Sequence, residues 1–168
     1  MKGEIMMKRI LCGLLCLLAL TALTLPALAA DSKAYTITVS GRAVDTSGLP
    51  CAAYRQGDVT MVPLRAIAEA LGYDVEWVSK TREITVDDSI QQAVLKSGSS
   101  AAHFNGKLQV INLSRDEELS SPAVILQGHT YVPLEFFQNF FNDTAVSGTA
   151  ITVSPSVCYL DDAVNSAA

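Results

Sequence analysis

His103 and His129 are the only two imidazoles in the 168-residue chain, and each stands beside a turn signal, the first just ahead of Asn105-Gly106 and the second just after Gly128. Histidine is the side chain whose charge changes nearest neutral pH, so either could serve as acid, base or metal ligand. A structural or catalytic metal asks for three or four such donors, and two leave it short of partners. Turn histidines are commonly solvated, and that is the plainer reading of both. Asp87-Asp88 and Asp116-Glu117-Glu118 could hold calcium, but neither follows the alternating Asp-x-Asp-x-Asp-Gly order of a calcium loop. They read as solvated charge. No Gly-x-Ser-x-Gly elbow sets up a serine nucleophile, and the glycines form neither a phosphate-cradling loop nor a dinucleotide fingerprint. No catalytic residue, cofactor site or metal site is therefore assigned. One catalytic alternative stays open, an exported weak hydrolase or inhibitor-like accessory protein with a site built from Asp87, Asp88 and His103.

Two further groups could act without catalysis. Phe136, Phe137, Phe140 and Phe141 put four aromatics into two helical turns, more than one face can hold. Phe137 and Phe141 share a face with Leu134, whereas Phe136 and Phe140 form a neighbouring stripe. That stripe is either buried against the other half of the molecule or an exposed interaction surface for a partner or a glycan. The second group is Cys51 and Cys158. They close a candidate disulfide worth about 3 to 5 kcal/mol in the chain-entropy model, or else they are two buried thiols.

The redox argument depends on where the chain resides, and the N-terminus speaks to that. Lys2, Lys8 and Arg9 precede the apolar run ILCGLLCLLALTALTL, which ends at Pro26 and the small residues ALAA. A basic leader, an apolar core shorter than a membrane span and an Ala-x-Ala site predict a signal peptide over 1–29, cleaved before Ala30. Cys12 and Cys16 lack the small residues that precede a lipid-modified cysteine and read as apolar filler. The expected product is secreted or associated with the cell envelope, with no membrane span after cleavage, in a compartment where a disulfide persists. Three of the twelve basic residues and one of the seventeen acidic ones lie in the signal, leaving nine against sixteen. So acidic a chain lacks the basic footprint that nucleic acid or an anionic membrane requires. The expected partners are envelope proteins or polysaccharide.

The elements that must position these residues follow from periodicity. YTITVSGRAV alternates as a strand entering a turn at Ser40-Gly41, and CAAYRQGDVTMV offers two short strands about Gln56-Gly57. Leu64, Ile67, Ala68 and Leu71 then recur at helical spacing, with Pro63 at the helix start and Gly72 at its end. DVEWV and REITV flank a turn and make a closing hairpin. Much of this order returns. AAHFNGKLQV carries a hairpin signal at Asn105-Gly106, and SPAVILQGHTYV, PLEFFQNFF and AVSGTAITV supply a hairpin, a helix and a closing hairpin. The prediction is an α+β fold of antiparallel hairpins packed on two short helices, with an internal repeat of a strand-strand-helix-hairpin unit at about 34–87 and 101–154. SRDEELSS (residues 114–121) reads as a solvated loop inside the second unit, and 155–168 as a polar tail. Asn112 and Asn142 head sequons that matter only on a eukaryotic secretory route.

At this point the residues carry a family likeness. MVPLRAIAEALGYDVEWVSKTREITV resembles the signature of the copper amine oxidase N-terminal-like, or stalk, domain, and GHTYVPLEFF looks like its second copy. The second copy departs from the pattern at Glu135 for Arg, at Asn142 for Gly, and in lacking the Trp. The resemblance implies an antiparallel sheet wrapped on a helix, within one domain over 30–154, in exported proteins of mostly Gram-positive bacteria that often carry other envelope modules. Amine oxidase catalysis needs a Tyr-derived quinone and three His ligands for copper. A 168-residue chain with two His is too short for that domain, so the resemblance implies an accessory module without oxidase activity. Arg65 and Glu135 occupy the exposed first turn of their helices. Glu135 suits the positive helix end and Arg65 does not, so an Arg65–Glu135 ion pair between the two halves is expected.

Overall fold

The computed structural model describes residues 34–107 and 114–156, which form thirteen strands and two short helices arranged in three sheets. Residues 1–33, which include the segment expected to be a signal, and residues from 157 onward, with Cys158, lie outside the described residues. Strand β1 (Thr36–Val39) turns through Ser40 and Gly41, both at positive φ, into β2 (Arg42–Ala43), the backbone that a two-residue hairpin of the primed type requires. β3 (Tyr54–Gln56) and β4 (Val59–Pro63) form the hairpin expected about Gly57. Helix α1 (Leu64–Ala70) follows, with Pro63 in the cap position, one residue earlier than a first-turn proline. Leu64, Ile67 and Ala68 are its buried residues, as their spacing predicts. It ends in a Schellman arrangement: Gly72, at φ +85°, donates to Glu69 O at 3.0 Å, and Tyr73 donates to Ala68 O at 2.8 Å.

β5 (Asp74–Val78) and β6 (Glu83–Asp87) make the closing hairpin. The chain then departs from expectation. β7 (Gln91–Lys96), β8 (Ala101–Gly106) and β9 (Arg115–Glu118) extend that hairpin into a five-stranded antiparallel sheet. Asn105-Gly106 is therefore no hairpin turn, because both residues lie in β8 opposite Gln92 and Gln91. AAHFNGKLQV is likewise no counterpart of the β1–β2 hairpin.

The acidic segment read as a solvated loop contains β9. Its charges alternate about the sheet, with Asp116 and Glu118 exposed and Arg115 and Glu117 half-buried. Arg115 anchors the strand: its guanidinium lies 4.5 Å over the Phe104 ring and donates to Asn139 O at 2.7 Å and Glu117 Oε1 at 3.1 Å. A charged edge strand of this kind resists unwanted strand pairing.

β10 (Val124–Leu126) and β11 (His129–Pro133) form a second hairpin. β11 pairs antiparallel with β4, placing Val132 opposite Val62 and giving one sheet in the order β10-β11-β4-β3. Leu134–Phe140 is a 3-10 helix, not the α-helix expected. At three residues per turn, Leu134, Phe137 and Phe140 align on one face, whereas a 3.6-residue period would have turned Phe141 inward. Phe141 instead caps the helix in the left-handed region at φ +55° and is 57% exposed. The buried Asn142 completes that end, its Nδ2 donating to Phe137 O at 3.0 Å and Phe140 O at 3.1 Å while its amide oxygen accepts from Tyr73 Oη at 3.2 Å.

β12 (Asn142–Ser147) and β13 (Ala150–Pro155) pair antiparallel, and β13 lies parallel to β1, with Ile37 opposite Ile151. The first and last strands thus share a sheet. The core runs from Ile37, Val39, Ile151 and Val153 through α1 to Ile84, Val86, Leu95 and the rings of Phe104, Phe136, Phe137 and Phe140. A smaller cluster of Tyr54, Met61 and Tyr131 lies on the other face of the β4–β11 sheet. The protein is richer in sheet than an α+β reading with hairpins on two helices suggests.

Candidate functional site

The residues singled out for chemistry are held apart by separate structural roles. Asp88 Oδ1 accepts from the N–H groups of Ile90 (2.8 Å) and Gln91 (2.6 Å) and so forms the turn into β7. Asp87 accepts from Ser89 N–H at 2.8 Å and pairs with Lys107. Burial pushes its carboxyl up, but the hydrogen bonds and charge of Lys107 and the Ser89 N–H outweigh it and hold the carboxyl below its ordinary value. His103 pairs with Asp116 at 2.6 Å across β8 and β9 on the exposed face of the sheet. These partnerships assemble no joint site from Asp87, Asp88 and His103. Among the described residues no group of three or more His, Cys, Asp or Glu could hold a metal ion.

Of the two readings of Phe136 and Phe140, burial holds and the interaction surface is corrected. The two side chains are 0% and 3% exposed, packed edge-on with ring centroids 5.4 Å apart and against Phe104, so they present no surface to a partner. The tighter 3-10 winding turns Phe140 inward and brings Phe141 out. Cys51 is half-buried, and its carbonyl accepts from Tyr131 Oη at 2.6 Å. Burial pushes the Tyr131 hydroxyl well above its ordinary range, so it stays a donor. The proposed partner Cys158 lies outside the described residues.

Arg65 does not pair with Glu135. Its Nη1 donates to Glu69 Oε1 at 3.1 Å, one helical turn on, and to Val75 O at 3.0 Å. Glu135 accepts from Ser120 N–H. Each side chain has found a partner close to its own helix.

What Arg65 does border is a cleft of about 240 Å³. One wall is the start of α1 with Pro63, Leu64 and Ala66, and another is Val75, Trp77 and Ile84 from β5 and β6. The third is the turn of the other hairpin, with Ile125, Gly128, His129 and Thr130, and Leu49 closes one end. Trp77 is 37% exposed, a large aromatic left partly open where Ile84 and Val86 of the same hairpin are buried. At less than the roughly 300–1,000 Å³ of a cofactor or drug-sized site, the cleft suits one or two side chains.

A second, more open cleft is built from equivalent positions with the halves exchanged. Pro133, Leu134 and Glu135 stand where Pro63, Leu64 and Arg65 stand in the first, and Asp58, Val59 and Thr60 stand where Gly128, His129 and Thr130 do. Thr144, Ala145 and Val146 of β12 take the place of β5. The antiparallel pairing of Val62 with Val132 causes this exchange, because it turns each helix start toward the other half's hairpin turn. Sequence reasoning named Arg65 as out of place at a positive helix end but missed Leu49, Ile125 and Thr130. Ile125 and Thr130 join the site only through that pairing.

The described residues form a small, β-rich domain with two short helices, and two of its clefts are cross-built. Residues 38–153 match the family described as the copper amine oxidase N-terminal domain, and the chain belongs to that family. A curated relative from Brevibacillus choshinensis, named protease inhibitor, is 28% identical over 152 residues. The match covers 88% of this chain, which spans only 43% of the relative's length. No solved structure gives a significant match.

Proposed function

We propose that the chain is a secreted, non-catalytic interaction module of the bacterial cell envelope, built from two copies of a hairpin-helix-hairpin unit, and that it holds a segment of a partner protein in the cleft beside Trp77. The observation that carries the reading is the cleft itself, which leaves an aromatic and an arginine open over an apolar floor. The repeat is supported by the order strand-strand-helix-strand-strand, found at Tyr54–Asp87 and again at Val124–Pro155. Export is supported by the basic leader and apolar run over 1–29. Capture experiments on envelope and supernatant fractions test it. The wild type is expected to retain a protein that Trp77→Ser loses at unchanged thermal stability. Equal capture by both forms, or none by either, would remove the cleft from the function.

A second reading is favoured by the relative's printed name. In it the module contributes to protease inhibition, and the partner is an exported peptidase. Residual activity of serine, cysteine and metallo-peptidases after incubation with the purified chain tests this directly. Stoichiometric loss in one class would support it, and full activity in all three would set it aside.

A further inference from the structure

The two clefts differ most where polar groups rim them. Arg65 and His129 line the first, with no carboxylate in its walls. Glu135 and Asp58 line the second, with no basic side chain in its walls. The one carboxylate bonded to Arg65, that of Glu69, stands outside this lining at 3.1 Å from Nη1. Arg65 is engaged through Nη1 alone, by Glu69 and Val75 O, and its side chain stays about half exposed. A guanidinium fork suits a carboxylate, and the apolar floor beneath Trp77 suits an aliphatic or aromatic side chain.

We infer that the first cleft binds an acidic–apolar peptide segment, its apolar side chain against Trp77 and Ile125 and its neighbouring carboxylate received by Arg65 and His129, and that the second cleft refuses the same segment. The inference rests on the reading of the chain as a protein-binding module and names the chemistry of the segment. A neutral glycan would supply hydrogen-bond acceptors but no counter-charge for Arg65, and a basic segment would meet the wrong charge. Glu69 competes with the incoming carboxylate for Arg65, so the site is held below its full affinity.

Trp77 is the only tryptophan in the chain, so its fluorescence reports on this cleft alone. Blocked peptides of the type acetyl-Ala-Leu-Glu-Ala-amide, with Gln or Lys in place of Glu, are titrated into the full chain. A saturable change is expected with the acidic peptide, weaker by about tenfold with the Gln form and lost with the Lys form, as removal of one charged hydrogen bond predicts. Arg65→Gln should weaken acidic-peptide binding by about tenfold, Glu69→Gln should strengthen it, and Glu135→Gln should leave it unchanged. The pair Arg65→Glu with His129→Val, which installs the second cleft's residues, should reverse the preference toward the Lys peptide. Thermal melts of each variant separate lost binding from lost folding, and Glu69→Gln gives a gain that misfolding cannot produce. Equal response to all three peptides, no saturable response to any, or displacement by an N-acetylglucosamine oligomer would overturn the inference. A partner captured through Trp77 that the acidic peptide does not displace would overturn the ligand chemistry alone, whereas no capture at all would overturn the functional reading beneath it.

Discussion

Asn142 shows how one residue can finish an element. Where α1 ends on a glycine at φ +85°, the 3-10 helix ends on Phe141 at φ +55°, and the Asn142 side chain donates to two carbonyls of its last turn, Phe137 O and Phe140 O. Asn142→Ala would leave Phe137 O, Phe140 O and the Tyr73 hydroxyl without that partner in a buried setting. It is expected to cost about 1–3 kcal/mol in urea unfolding, and a loss below a few tenths would show that water replaces the amide. Asp87 gives a pH dependence. Its folded carboxyl sits below its ordinary value of 3.8, so the stabilisation is complete above that value and lost as pH falls through the folded pKa. Asp87→Asn keeps an acceptor for Ser89 N–H but removes the charge that faces Lys107. Stability of the variant should fall less steeply than wild type below pH about 4, and parallel acid limbs would contradict the assignment.

The helices carry the lesson at the scale of elements. The first was legible because Leu64, Ile67 and Ala68 keep an α-helical period and Gly72 supplies its left-handed cap. The second was legible as a helix but not as its type, because Phe136, Phe137, Phe140 and Phe141 satisfy more than one winding. Packing decided between them: Phe136 and Phe140 complete a ring cluster with Phe104 and Tyr73, and Phe141 is left outside. Phe136→Ala is therefore expected to cost about 3–5 kcal/mol, as full-size aromatic deletions in cores do, while Phe141→Ser should change the unfolding midpoint little. Comparable losses from both substitutions would refute the 3-10 register. β9 was illegible for a different reason. Four consecutive charged residues give no apolar alternation, and only the Arg115 contacts with Phe104 and Asn139 O reveal which of them face inward.

For the whole molecule, the closing contacts join distant segments. β1 lies parallel to β13, and β4 pairs with β11, so neither half buries its faces alone. A single cooperative unfolding transition is expected, coincident by Trp77 fluorescence and far-ultraviolet circular dichroism. Two separated transitions would mean that the halves are independent.

The sequence by itself determined the hairpins about Gly57 and Ser40-Gly41, the start and end of α1, the family and the acidic character of the chain. Each of these is written in neighbouring residues, through local backbone preference, period or composition. The tertiary structure alone decided the partner of Arg65, the burial of Phe136 and Phe140, the third sheet around β7 to β9 and the cleft beneath Trp77. These depend on which strands meet across the chain, and the Val62–Val132 pairing that brings Ile125 and His129 to Arg65 leaves no mark in any local window.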